Sequence, residues 1–176
     1  GNSEERLVSI RTGEAVAEAC NQLGYNTSVF MLDSDSIDFI LNDLKAHDFV
    51  FIALHGSFGE DGVIQSILSK NNIPFNGSGE KSSRNCFDKS VTKKIVMNQG
   101  VLSPKYYQTS SNTCNDHIDF KSEKYIVKPN SQGSSVGFSV IDNFESLNDA
   151  IDIALDFDTS ILIEEFIDGR EITVPI

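Results

Sequence analysis

The sequence predicts an α/β chain in two parts, the first built around a parallel sheet and the second of α+β order. Three observations carry this. Apolar runs of strand length alternate with helical stripes over residues 15–75, and beyond about residue 78 the order becomes helix, several strands, helix, strand. The turn-forming run Asn76-Gly77-Ser78-Gly79 stands where the order changes. With 176 residues, 39% of them hydrophobic, and only four prolines, the chain is long enough to bury a core.

In the first part, Ala15, Val16, Ala19, Cys20 and Leu23 fall on one face of a helix, which Gly24 is placed to end in a left-handed conformation. A strand at residues 27–32 follows. Ser36 then precedes Ile37, Ile40, Leu41 and Leu44 at helical spacing, and residues 49–54 are a continuous apolar run of the kind buried on both faces of a parallel sheet. This is a βαβ pattern. A third helix, striped by Val63, Ile64, Ile67 and Leu68, leads into a short strand at 73–75. The second part reads as a helix over 89–99, a strand at 125–127, and a helix over 144–157 whose packing stripe is Leu147, Ile151 and Ala154. Strands at 161–165 and from 171 onward complete it, while the polar stretch 109–121 reads as an exposed loop or irregular connection. Both ends look cut. The chain opens on Gly-Asn-Ser directly before a helix, as though a strand were missing, and stops at Thr173-Val174-Pro175-Ile176 inside what reads as a strand.

A formal net charge of −12 argues against nucleic acid or an anionic membrane as partner, because phosphate-backbone binding needs clustered Lys and Arg. The acid is dispersed, so it speaks for solubility rather than mechanism. Cys20, Cys86 and Cys114 are far apart and form no Cys-x-x-Cys pair, which fits a reducing compartment and excludes a cysteine zinc cluster. No apolar run approaches the roughly 18 residues of a membrane span, and the N-terminus lacks the plan of a signal peptide. The cytoplasm is the expected location.

Two loops carry candidate chemistry. In Lys128-Pro-Asn-Ser-Gln-Gly-Ser-Ser-Val-Gly137, the strand before Lys128 delivers an ammonium to a fixed point, and Gly133 and Gly137 let backbone N–H groups approach phosphate oxygens, with Ser134 and Ser135 adding hydroxyls. The competing reading is a polar β-hairpin with a solvated lysine. In His55-Gly-Ser-Phe-Gly-Glu-Asp-Gly62, the loop leaves the carboxyl end of an apolar strand, where open parallel sheets bind ligands. His55 could donate to a carboxylate or carry a proton, or be a structural histidine; Glu60 or Asp61 could cap the helix that starts near Gly62.

Taken in order, these motifs resemble the D-alanine–D-alanine ligases of the ATP-grasp superfamily. The resemblance covers Asn2-Ser-Glu-Glu-Arg-Leu-Val-Ser-Ile10, His55 to Gly62, Ile73-Pro-Phe-Asn-Gly-Ser-Gly79 and Phe87-Asp-Lys-Ser-Val-Thr-Lys93. It continues through Val127-Lys-Pro with Gly133-Ser-Ser-Val-Gly137 and closes on Leu162-Ile-Glu-Glu-Phe-Ile-Asp-Gly-Arg-Glu-Ile-Thr-Val174. It implies a Rossmann-like N-terminal substrate domain over 1–78, the small subdomain of an ATP grasp over 79–163, and the start of the large subdomain over 164–176. It implies ATP and D-alanine as substrates, an acyl-phosphate intermediate, magnesium as cofactor with ligands outside this chain, a role in peptidoglycan synthesis and a possible homodimer.

By the same resemblance, Glu5 and His55 lie at the first D-alanine subsite, and Ser134 helps Glu5 to hold it; Glu5 and Ser134 are the catalytic candidates. Lys89 and Lys128 would bind ATP phosphates, with the Ser134-Ser135 loop folding over the γ-phosphate. Glu164 would accept from the adenine amino group, the backbone around Phe166 and Ile167 would line the adenine slot, and Glu171 would hold the ribose. Read without the family, Lys89, Glu5, Glu164 and Glu171 are ordinary exposed charges, and Phe166 and Ile167 are core candidates. The sequence departs from the family at Glu80-Lys-Ser-Ser-Arg-Asn85, where small and apolar residues are usual, and at Gln132, where many members carry an acid. Ligases of the same fold with another acceptor, D-lactate or D-serine, and a non-catalytic nucleotide-binding module are the alternative readings. The chain alone is expected to be inactive.

Overall fold

The computed structural model describes residues 2–32, 37–112 and 118–174. The chain divides into two compact units, residues 1–92 and 93–176.

The first unit holds helices α1 (Arg6–Gln22), α2 (Ile37–Lys45), α3 (Val63–Lys70) and α4 (Glu80–Phe87), and α5 (Lys89–Asn98) begins in it. Its core gathers Leu32, Ile37, Leu44, Ile64, Leu68 and Ile73, so the stripes expected on α2 and α3 turn inward except at Val63, which is exposed. Gly24 has φ +82°, the left-handed turn expected after α1. The inward face of α1 is different from the expected one. Leu23, Ala15 and Ala19 are exposed, whereas Ser9 is buried and Thr12, Gly13, Val16 and Cys20 are partly covered. At Gly13 this face lies close to Ala53, where an added Cβ would be in ordinary contact at 3.8 Å. The helix is turned by what it must serve, a polar contact at residue 55, rather than by its alanines.

The expected parallel sheet is not formed as a ladder among the described residues. One isolated parallel bridge joins Val50 to Phe75, closed by Val50 N–H donating to Pro74 O at 2.8 Å. The Asn76 side chain extends that pairing in place of a backbone, accepting from Ile52 N–H at 2.6 Å and donating to Ile52 O at 3.4 Å. On the other side of the segment, the backbone groups of Phe51 and Ala53 meet no hydrogen-bond partner among the described residues. Segments 27–32 and 49–54 both line a cavity of about 700 Å³ together with α1. With that space beside them, Phe49 and Phe51 are each 51% exposed, against the expectation of burial on both faces. Helix α4 was not expected at all. It buries none of its residues, and its Glu80 and Arg84 form an i,i+4 ion pair at 2.8 Å.

The second unit is a two-layer sandwich. Strands β1 (Tyr106–Thr109), β2 (Tyr125–Pro129), β3 (Ser139–Ile141) and β4 (Ile161–Glu165) form an antiparallel sheet in the order β1-β4-β2-β3. A 3-10 turn at Phe144–Ser146, capped by Asn143 Oδ1 accepting from Ser146 N–H at 2.9 Å, leads into α6 (Leu147–Leu155). Leu147, Ile151 and Ala154 of α6 are fully buried against Tyr125, Val127, Ile161 and Ile163, the residues of one sheet face. Strand alternation sends Ile126, Lys128, Leu162 and Glu164 to the opposite face. The strand expected from Glu171 onward is absent through Val174: residues 171–174 are exposed and pair with no other strand, and a strand without a neighbour has nothing to bond to. Ser36, Cys114, Pro175 and Ile176 lie outside the described residues.

Candidate functional site

In the first unit the chemistry collects around His55. Its backbone N–H donates to Ser9 Oγ at 2.9 Å, and its carbonyl accepts from Ser3 Oγ at 2.7 Å. On the ring, Nε2 lies 3.1 Å from Thr12 Oγ1 and Nδ1 lies 3.3 Å from Glu60 Oε1. Two contacts therefore fix the backbone of His55 and two its half-buried imidazole, and three of the four come from the N-terminal segment and the first turns of α1. Ser3 and Ser9 belong to the Asn2–Ile10 motif, which carries no hint that they bond the backbone of residue 55, and Thr12 has no signal beyond its place one helical turn from Ser9. Glu5 ends up beside the same loop. A Cβ on Gly56 would sit 2.9 Å from Ser3 Cβ and 3.0 Å from Glu5 Oε2, so only glycine allows this approach. The two acids of the loop divide their tasks. Glu60 Oε2 accepts from Gly56 N–H at 3.1 Å, while Asp61 accepts from Phe58 N–H at 2.7 Å and from Val63 N–H at 3.0 Å, capping α3. Lys89 opens α5, half-buried, behind Asp88, whose Oδ1 accepts from Val91 N–H at 2.9 Å.

In the second unit Lys128 and Glu164 meet on the sheet face away from α6. The register pairs Ile126 with Glu164 and Lys128 with Leu162, which sets the two charged side chains diagonally across β2 and β4. Lys128 Nζ donates to Glu164 Oε2 at 2.7 Å. Glu164 is only 2% exposed, and a carboxylate so far from water needs compensation. A second cation supplies it: Lys93 Nζ lies 3.0 Å from Oε1. That approach is off the hydrogen-bonding direction, so Oε1 is left with no donor in line and the contact is Coulombic. Lys93 spends its own hydrogen bonds on Ser103 Oγ at 2.8 Å and Pro104 O at 3.1 Å, with its Nζ 5.2 Å from the centre of the Tyr106 ring. Lys93 is one of three lysines in α5, and no feature of the sequence sets it apart from the other two.

The loop after Lys128 is tied down at its start. Asn130 N–H donates to Ser160 O at 2.8 Å, Ser131 N–H to Asp158 Oδ2 at 2.7 Å, and Gln132 Nε2 to Phe157 O at 3.0 Å. It then turns through Ser134 (φ 49°), Ser135 (φ 59°) and Gly137 (φ 65°). Two successive non-glycine residues in left-handed backbone store roughly 1–2 kcal/mol each, the kind of strain found where a loop is shaped for a ligand. Both serines are exposed. Beyond Glu164, Phe166 N–H donates to Lys124 O at 3.1 Å, and the Phe166 carbonyl and Ile167 N–H have no partner among the described residues. Phe166 is half-buried, whereas Ile167 and Glu171 are exposed, so Ile167 is not a core residue. No three His, Cys, Asp or Glu side chains cluster among the described residues as metal ligands would. Cys20 and Cys86 carry no disulfide, and no described helix is long and apolar enough to cross a membrane.

Two family models match in order: "D-ala D-ala ligase N-terminus" over residues 37–78 and "D-ala D-ala ligase C-terminus" over residues 94–176. A D-alanine–D-alanine ligase of Clostridium perfringens is 38% identical over 181 residues, covering all of this chain and 58% of that relative. The chain thus spans a little over half the length of such relatives. Among solved structures, the D-alanine–D-alanine ligase of Bacillus anthracis superposes with a TM-score of 0.82 at 32% identity, covering 96% of this chain and 56% of that one. The same enzyme complexed with ATP gives 0.80 at 29% identity, over 96% and 57%. The two matched models, the shared identity along the whole chain and the likeness of fold lead to one conclusion: the chain belongs to the D-alanine–D-alanine ligase family.

Proposed function

We propose that the chain forms the first-substrate and nucleotide-binding part of an ATP-dependent ligase that joins two D-alanines for peptidoglycan synthesis. The observation that carries this is Glu164: a buried carboxylate with one oxygen lacking a donor in line, held by Lys128, the residue from which β2 runs on into the strained Gly-Ser-Ser loop. A buried acceptor without a donor is costly and marks a place that a ligand N–H completes, here an adenine amino group. The Phe166 carbonyl and Ile167 N–H, unpartnered among the described residues, support an adenine edge at the same end of β4, and Glu171 follows as the ribose acceptor. Lys128 and Lys89 supply ammonium groups for the phosphates, and Ser134 and Ser135 supply hydroxyls over the transferred phosphoryl group.

Glu5 and His55 hold the ammonium and carboxylate of the first D-alanine, and Glu5 and Ser134 are the two catalytic candidates. The D-alanine carboxylate attacks the γ-phosphorus, ADP leaves, and the amine of the second D-alanine displaces phosphate from the acyl phosphate. Fixed cations offset the repulsion between carboxylate and triphosphate as charge moves onto the leaving oxygen. Magnesium belongs to this proposal as the ion that accompanies ATP; the described acids do not gather around a metal position, and no step is assigned to it. The proposal includes a substrate domain over 1–78, ATP-grasp parts over 79–163 and 164–176, a cytoplasmic location and a homodimer. Saturation-transfer NMR on the 176-residue chain tests it. ATP and D-alanine should both show transfer and L-alanine should not; no transfer to ATP would sink the reading.

A further inference from the structure

Within this nucleotide-binding reading, on which the inference rests, we infer that Lys93 is a positioning residue that frees Lys128 to move from Glu164 to an incoming polyphosphate. Glu164 is buried, and its two oxygens face two different ammonium groups, Oε2 toward Lys128 at 2.7 Å and Oε1 toward Lys93 at 3.0 Å. If Lys128 were the only counter-charge, its departure would strand an uncompensated carboxylate away from water, so the carboxylate would retain it. The second cation removes that obstacle.

The two lysines are not equivalent. Lys93 is held by Ser103 Oγ, Pro104 O and the Tyr106 ring besides Glu164, and its side chain is 10% exposed. Lys128 has the single hydrogen bond to Glu164, its side chain is 22% exposed, and it stands where β2 enters the Gly-Ser-Ser loop. Lys93 stays while Lys128 leaves. The carboxylate keeps one partner throughout, and its Oε2 is released to join Oε1 as an acceptor. Lys93 touches no ligand in this scheme; it acts on the phosphates through Glu164 and Lys128. Its effect therefore belongs to the phosphate-dependent part of nucleotide affinity and not to recognition of the base.

Calorimetric titration of the 176-residue chain with ATP and with adenosine tests this. K93M should weaken ATP binding by at least about tenfold while adenosine stays within about twofold of the wild type, and K93R should restore ATP binding. Unchanged ATP affinity in K93M overturns the inference, as does an equal loss for ATP and adenosine, which would mean a structural role only. Absence of ATP binding by the wild type overturns the nucleotide reading itself, and with it the inference. A second measurement needs no variant: with lysine labelled at Nζ, ATP should move the Lys128 resonance and leave that of Lys93 in place. Both moving alike, or neither moving, refutes the handover.

Discussion

Replacing Glu164 with Gln takes the only anion away from two ammonium groups that are mostly out of water. Removing one partner of a buried ion pair costs about 3–5 kcal/mol. Two features of this site lower that figure. The glutamine keeps an amide oxygen to accept from one lysine, and Lys128, with 22% of its side chain exposed, can turn toward solvent. Lys93 cannot, being fixed by Ser103, Pro104 and the Tyr106 ring. The expected loss is therefore about 2–3 kcal/mol, set mainly by the charge left on Lys93. That corresponds to about 30- to 150-fold more frequent opening of the second unit. Native-state hydrogen exchange at the amides of β2 and β4 reads this directly, with amides of α3 as internal reference. Exchange at β4 within about twofold of the wild type would refute the claim that Glu164 holds this face together. Replacing all three charges by apolar side chains of similar volume should recover most of the loss, because the desolvation of every ion disappears with it.

Four further outcomes follow. His55→Ala should lower stability by no more than about 1 kcal/mol, since the ring is half-exposed and its contact with Glu60 is screened, yet it should abolish D-alanine transfer in the NMR test. Gly137→Ala forces a Cβ to within 2.8 Å of Phe157 and 2.9 Å of Pro129 at φ 65°, so urea unfolding should show a loss of about 2 kcal/mol or more; an unchanged midpoint would mean the loop is not packed as described. The Glu80 carboxyl is held below its ordinary value of 4.5, first by a hydrogen bond from Ser66 and also by the Arg84 guanidinium. A folded-state value below the unfolded one adds stability that is complete above pH 4.5 and is lost as pH falls through the lowered value, so E80Q should flatten the acid limb of the unfolding curve and leave neutral pH little changed. Asn76→Ala leaves Ile52 N–H and C=O without their partner and should cost about 1–3 kcal/mol in urea unfolding; a neutral result would refute the side chain's role as a surrogate strand.

What could be read from the sequence was what repeats or stands at a boundary. The β2 strand that carries Lys128, the apolar stripe of α6 and the stripes of α2 and α3 follow from periodicity alone, and all but Val63 are in place. Periodicity misled at α1, where alanines at 15 and 19 satisfy the helical pattern without turning inward, and the inward positions are small and polar for the sake of His55. It failed for residues 49–54 because an apolar run gives the strand but not its neighbours; a ladder depends on pairing that no single segment encodes. Lys93 was illegible for a similar reason. Its role depends on a carboxylate 71 positions further along, and nothing in Lys93-Lys94 distinguishes the buried lysine from the exposed one.

The backbone of Phe51 and Ala53, without hydrogen-bond partners among the described residues, has a practical consequence for handling the molecule. Folded proteins usually guard an unpaired strand edge with lysine, proline or a bulge, yet residues 49–54 are Phe-Val-Phe-Ile-Ala-Leu, with neither charge nor proline. Such a segment is a template for a second chain. At the concentrations of calorimetry or NMR the 176-residue chain should therefore cluster edge to edge in a concentration-dependent way, and a single lysine at Phe51, half-exposed already, is the gatekeeper that would keep it dispersed.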